Sequence, residues 1–244
     1  KHLHQLLRDS NCTVFRLGSP KGERYTHFAL AKVYNDWSDY FLLDDEIFID
    51  KPEEYLINNL NDNKDLYKML PSFSETALVN FSLSSGLLYD FLKIKNNKNI
   101  FTVNSSGNYT FNFKPLSNFD TFLTHNRGAV EIDSFFIAKR NNVKHLFIIE
   151  AKMIRTGRGS GLQHKSLAKH KLLYPILSIK DNISENIIVT PVYIRFIQNN
   201  KIGSEDFKKI TVKLVECKIP FINGIFGALD ELKPVRSSIY NVEI

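Results

Sequence analysis

A chain of 244 residues is long enough to bury a full core, as one large domain or as one domain with an appended lobe. Its 43% apolar and 24% charged residues are ordinary for a soluble globular protein, and no apolar run approaches the roughly 20 residues that cross a bilayer. Two cysteines, Cys12 and Cys217, exclude a disulfide framework and a zinc-finger site, and the start Lys1–Arg8 lacks the apolar segment of a secretory signal, so a reducing cytoplasm is the expected location.

In chain order, Val14–Leu17 and Phe28–Tyr34 read as strands about the turn Ser19-Pro20-Lys21-Gly22, and Trp37–Leu43 continues as irregular β material. Pro52–Leu70 reads as a helix, with Pro52 suited to its first turn and Glu53 and Glu54 to its positive end. Ser72–Leu92 is the next predicted helix. Ser72 or Ser74 can cap it, and Leu78, Phe81, Leu88 and Leu92 approximate one apolar face. Ile100–Val103 and Tyr109–Phe113 read as a hairpin about Asn104–Asn108. Then come a strand through Asp133, the turn Arg140-Asn141-Asn142 and a strand through Glu150. The glycine-rich run Gly157–Gly161 leads into a predicted helix from Leu162 to Ile179, and Ile187–Ile197 and Ile210–Glu216 read as strands. The order helix, strand, strand, strand, helix, strand predicts an α/β fold with a mixed sheet.

The chemistry concentrates in Val130-Glu131-Ile132-Asp133 and Phe147-Ile148-Ile149-Glu150-Ala151-Lys152. Strand side chains alternate faces, so Glu150 and Lys152 share one, and Asp133 can reach it from the neighbouring strand. Two carboxylates held side by side in apolar runs repel each other unless a cation lies between them. With a lysine beside them, they form a kit for metal-assisted phosphodiester hydrolysis. The competing reading is of strand-end carboxylates facing solvent.

Between Asp120 and Asp181 stand eleven basic residues against three acidic ones, Glu131, Asp133 and Glu150. That is a local charge of +8, against +6 for the whole chain. This segment holds the entire positive excess and looks built for a polyanion, although bases on a solvated face would give the same count.

These residues resemble the PD-(D/E)xK nuclease superfamily. Asp133 matches its first acid, and Glu150-Ala151-Lys152 matches its second acid, spacer and lysine, while Ile132 stands where the name-giving proline would precede Asp133. Further runs are similar to bacterial type II restriction endonuclease-like proteins: Ser74-Glu75-Thr76, Ser85-Gly86-Leu87-Leu88, Gly128–Asp133, Ile149–Lys152 and Lys169–Pro175. The resemblance implies a restriction-endonuclease-like mixed central sheet flanked by helices, spanning residues 71–200. An N-terminal α+β lobe of residues 1–70 would serve target recognition or dimerisation, and residues 201–244 would form a C-terminal extension packed on the core.

It also implies a Mg²⁺-dependent enzyme, with Mn²⁺ able to substitute. Such an enzyme would be a bacterial, cytoplasmic homodimer that cuts double-stranded DNA at a specific short sequence and leaves 5′-phosphate and 3′-hydroxyl ends. Alternatives on the same core are a structure-specific repair or junction-resolving nuclease, and a DNA-binding module without activity. Asp133, Glu150 and the backbone carbonyl of Ala151 are the expected metal ligands, with Lys152 placing the attacking water. Glu131 and Glu75 are either further ligands or ordinary acids. Arg155, Arg158, Gln163, His164, Lys165, Lys169, His170 and Lys171 are the expected DNA-binding residues. The Gly157–Gly161 loop lacks the Lys-Ser/Thr ending of a phosphate-binding loop, so no nucleotide cofactor is expected.

Overall fold

The computed structural model describes residues 5–57, 67, 73–95, 100–156, 166–199 and 209–243. Its strands are β1 (Cys12–Gly18), β2 (His27–Lys32), β3 (Phe41–Leu43), β4 (Glu53–Tyr55), β5 (Val103–Phe113), β6 (Leu123–Arg140), β7 (Val143–Thr156), β8 (Ser166–Ala168), β9 (Ile188–Asn199), β10 (Lys209–Lys218), β11 (Phe221–Ile222), β12 (Ile225–Phe226) and β13 (Lys233–Glu243). Helices Glu75–Ser84 and Leu87–Leu92 precede β5, and helix His170–Ile179 links β7 to β9. The main sheet runs β2-β1-β6-β7-β9-β10-β13-β4, with β5 also paired to β6. β7 and β9 are parallel, whereas β6–β7, β9–β10 and β10–β13 are antiparallel, so this is an α/β fold on a large mixed sheet.

β7 is the central strand, and its run Leu146–Ala151 is buried throughout. Leu146 and Ile148 face Leu172, Leu173, Ile176 and Leu177 of helix His170–Ile179. Phe147, Ile149 and Ala151 face the other way, against Leu78, Phe81, Leu88 and Leu92. A strand covered on both sides reads as a continuous apolar run, as this one does. β6 and β7 close through Asn141 and Asn142, both with positive φ (50° and 64°), the backbone of a tight two-residue hairpin.

Residues 5–57 add strands to both ends of the sheet order: β1 and β2 beside β6, and β4 beside β13. β1 touches β6 at one pair, Gly18 with Asn126. That approach requires glycine, because a Cβ on Gly18 (φ +81°) would lie 2.1 Å from the Asn126 carbonyl oxygen. Among the described residues, no helix is long and apolar enough to cross a membrane.

Four element expectations need correction. The segment after Pro52 is not helical at its start: Glu53–Tyr55 pairs in parallel with Tyr240–Val242, and a proline opens an edge strand as readily as a helix. Ser72–Leu92 is two helices. Ser74 caps the first, its side chain accepting from the Ala77 N–H, and Gly86 at φ +89° breaks the run. Asn104–Asn108 is not a turn, because it lies within β5, where Ser105–Asn108 pairs residue by residue with β6. The helix expected from Leu162 begins at His170, since Ser166–Ala168 pairs with β3 instead.

Candidate active site

The site lies where the sheet forks. β6 stays with β7 only as far as Ser134 opposite Ile149 and then runs on beside β5. β7 continues beside β9 to Thr156. At the fork β6 carries a bulge: between its pairs with Val103 and Ser105, β6 advances from Phe135 to Ile132, three residues against two. The extra residue lies at Asp133–Ser134, the kind of local kink that re-aims a side chain.

Among the described residues, the departure of β6 leaves backbone N–H groups on that side of β7 without a strand partner, and carboxylates take two of them. The Ala151 N–H donates to Asp133 Oδ2 at 2.8 Å, and the Met153 N–H donates to Glu75 Oε1 at 2.9 Å. Glu75 stands in the first turn of its helix, on the opposite side of the sheet from helix His170–Ile179. Each acid is therefore locked by a backbone donor rather than left on a flexible side chain.

Lys152 extends into the space between them. Its ammonium donates to the Ala151 carbonyl oxygen at 2.7 Å and lies 2.8 Å from Glu150 Oε1, 3.5 Å from Glu75 Oε2 and 3.6 Å from Asp133 Oδ2. Burial pushes the Glu150 carboxyl up to about 7, helped by the nearby Asp133 and opposed by Lys152 and Lys171. Burial also works against the Lys152 charge, but Glu150, Asp133 and Glu75 outweigh it and hold the ammonium protonated.

The expected residues Asp133, Glu150, Lys152 and Ala151 thus come together, and Glu75 joins them. Glu131 does not. It is exposed on β6 upstream of the bulge, opposite Ser106, and makes no hydrogen bond or ion pair with these residues among the described residues. Among the described residues, no group of three His, Cys, Asp or Glu side chains forms a ready-made metal cage. The donor set nevertheless fits a hard dication. All its members are oxygens, and Mg²⁺ is commonly held by only one or two carboxylates, with water and substrate phosphate completing the shell. A cationic nitrogen already lies among four of these oxygens.

The basic surroundings divide. Arg158, Gln163, His164, Lys165 and the Arg155 side chain lie outside the described residues. Lys171 is exposed and close enough to Glu150 to bias its charge. Lys169 is 1% exposed, and burial lowers its amine to about 8. His170 packs against the Phe15 and Tyr174 rings, and burial, with Lys171 and His125 nearby, lowers its imidazole to about 3. Neither is placed for the phosphate contact expected of it. Arg140, counted among the basic excess, is tied to Glu216 at 2.8 Å.

Sequence reading missed Arg195 and Asp44, which form a buried ion pair one strand away from Lys152. An arginine inside the β-branched run Ile187–Ile197 was the available signal.

Neither the curated proteins nor the solved structures contain a match to this chain. A family does match, over residues 45–206, and that span includes Glu75, Asp133, Glu150 and Lys152. The chain belongs to that family, described as Domain of unknown function (DUF6997).

Proposed function

We propose that this protein is a Mg²⁺-dependent endonuclease for double-stranded DNA, built on a restriction-endonuclease-like core and acting at a specific short sequence as a homodimer. The observation that carries the reading is the fork. Asp133, Glu150 and Glu75 converge there on the Lys152 ammonium, inside an order of two helices, strands β5 to β8, a helix and β9. A dication held by Asp133, Glu150 and the Ala151 carbonyl would supply Lewis acidity at the scissile phosphate.

The protein groups have separable tasks. Asp133 and Glu75 keep their positions through the Ala151 and Met153 N–H groups, so the negative cluster is preorganised before substrate arrives. Lys152 can donate to an attacking water or to a phosphate oxygen, and its charge opposes the negative charge that develops there. Lys171, exposed and near Glu150, would add attraction for the backbone.

Incubation of the full chain with plasmid DNA in Mg²⁺, and separately in Ca²⁺, tests this reading. Cleavage in Mg²⁺ and binding without cleavage in Ca²⁺ are expected, since Ca²⁺ has looser geometry and is the poorer Lewis acid. Preference for a four-way junction over linear duplex would assign the site to a resolving or repair nuclease. Absence of any metal-dependent cutting would contradict it.

A further inference from the structure

The strand that leaves the fork carries an unusual face. Along β5 the outward positions are Asn104, Ser106, Asn108, Thr110 and Asn112, all exposed. None is charged and none is apolar. The inward positions include the core residues Phe111 and Phe113. Across from this row, β6 presents Glu131 opposite Ser106, Ala129 opposite Asn108 and Thr124 opposite Asn112. Exposed Arg127, at positive φ (49°), sits in a second bulge of β6 near Thr110, whose hydroxyl accepts its backbone N–H at 3.0 Å. The Thr124 hydroxyl donates to Asn112 Oδ1 at 2.8 Å, and the N–H₂ of this exposed amide makes no hydrogen bond among the described residues. Asn104, Ser106 and Asn108 bond to nothing through their side chains among the described residues.

Two features set this face apart from an ordinary solvated strand. β5 pairs only with β6 among the described residues, so it is an edge, and edges are ordinarily protected by charge. The row also begins at the candidate site, because Asn104 lies across from the Asp133–Ser134 bulge. From there it extends eight residues, about 26 Å, or the rise of seven to eight base pairs.

We propose that the outward face of the β5–β6 ribbon lies in the major groove of duplex DNA and reads base edges next to the cutting site. This rests on the nuclease reading above. The major groove admits a two-stranded ribbon and presents a distinct donor and acceptor pattern for each base pair. Amides match the N6 and N7 edge of adenine, hydroxyls match either donors or acceptors, and the Ala129 methyl suits a thymine methyl. Arg127 is the one cation on the face among the described residues and is placed for a guanine or a phosphate. Continuity with Asp133 fixes the read bases at a constant distance from the cut.

Selection from a randomised duplex pool in Ca²⁺, using the full chain, is the test. The wild type should enrich one short motif. Ser106→Ala with Asn108→Ala should relax preference at one or two adjacent base pairs by about tenfold or more, with affinity for the unselected pool unchanged. Both positions are exposed, so thermal unfolding should match wild type and confirm the fold. The same motif enriched equally by the double variant overturns the ribbon reading and leaves the nuclease reading standing. Wild-type binding without any preference overturns the ribbon reading and the site specificity of the proposed function, and leaves standing only metal-dependent cleavage at the Asp133 site. Failure of the wild type to bind duplex DNA at all overturns both.

Discussion

Lys152 and Glu150 stand two residues apart on one strand face, and the lysine ammonium lies 2.8 Å from the Glu150 carboxylate. The same nitrogen reaches the Ala151 carbonyl at 2.7 Å. Lys152 therefore holds the position a bound cation would share with these oxygens. Replacing it with methionine removes a competing charge while keeping most of the side-chain length. Lys152→Met is expected to bind Mn²⁺ about tenfold more tightly by calorimetry while losing cleavage. Equal affinity in both proteins would mean that the ammonium and the metal do not compete.

Under the proposed nuclease function, Glu75 would contribute through position as well as charge. Glu75→Gln keeps an oxygen to accept from the Met153 N–H but loses the charge facing Lys152. Cleavage is expected to fall by about 10- to 100-fold, with DNA binding in Ca²⁺ retained. Glu75→Ala should fall further, because the backbone donor is released too. Single-turnover rates separate the two, and wild-type rates in Glu75→Gln would reduce Glu75 to a helix-end acid.

Two lysines at the start of one helix, Lys169 at its N-cap and Lys171 in its first turn, are expected to behave oppositely. Lys171→Gln should lower the slope of log affinity against log salt by about 0.9, the value of one phosphate contact. Lys169→Met should leave that slope unchanged, since Lys169 is buried. Its effect should appear in the denaturation midpoint instead. A change of slope in Lys169→Met would show that this side chain reaches solvent when DNA binds.

His170 makes stability depend on pH in a defined direction. Its folded value near 3 lies below the ordinary 6.5, so between these limits the unfolded chain binds the extra proton. Stability is expected to be full above about pH 6.5 and to decline as pH falls toward 3, by at most about 1.4 kcal/mol per unit from this group. The charged and titratable neighbours acting on it are Lys171 and His125. Urea midpoints of wild type and His170→Leu at pH 7 and pH 5 test this, with the variant expected to lose less on acidification. Parallel declines would indicate that other groups carry the acid sensitivity.

What the sequence reveals follows from the range of each interaction. Glu150 and Lys152 are legible together because strand alternation is local. The approach of Asp133 follows from the hairpin at Asn141 and Asn142. The role of Glu75 is not legible, because a first-turn acid looks the same whether it faces solvent or a bare strand edge seventy-eight residues away. The burial of Lys169 is likewise invisible, since it depends on β3 drawing Ser166–Ala168 out of the expected helix. Asn104–Asn108 has turn composition but is held extended by β6, and composition alone does not register a partner strand.

End sequencing of fragments from a long mixed-sequence DNA, cut in Mg²⁺ by the wild type and by Asp133→Ala, bears most directly on the account. The wild type should give discrete fragments whose ends share one short sequence and carry 5′-phosphates. Asp133→Ala should cut more than about 100-fold more slowly while still binding DNA. Comparable cutting by Asp133→Ala, or intact DNA with the wild type, would contradict it.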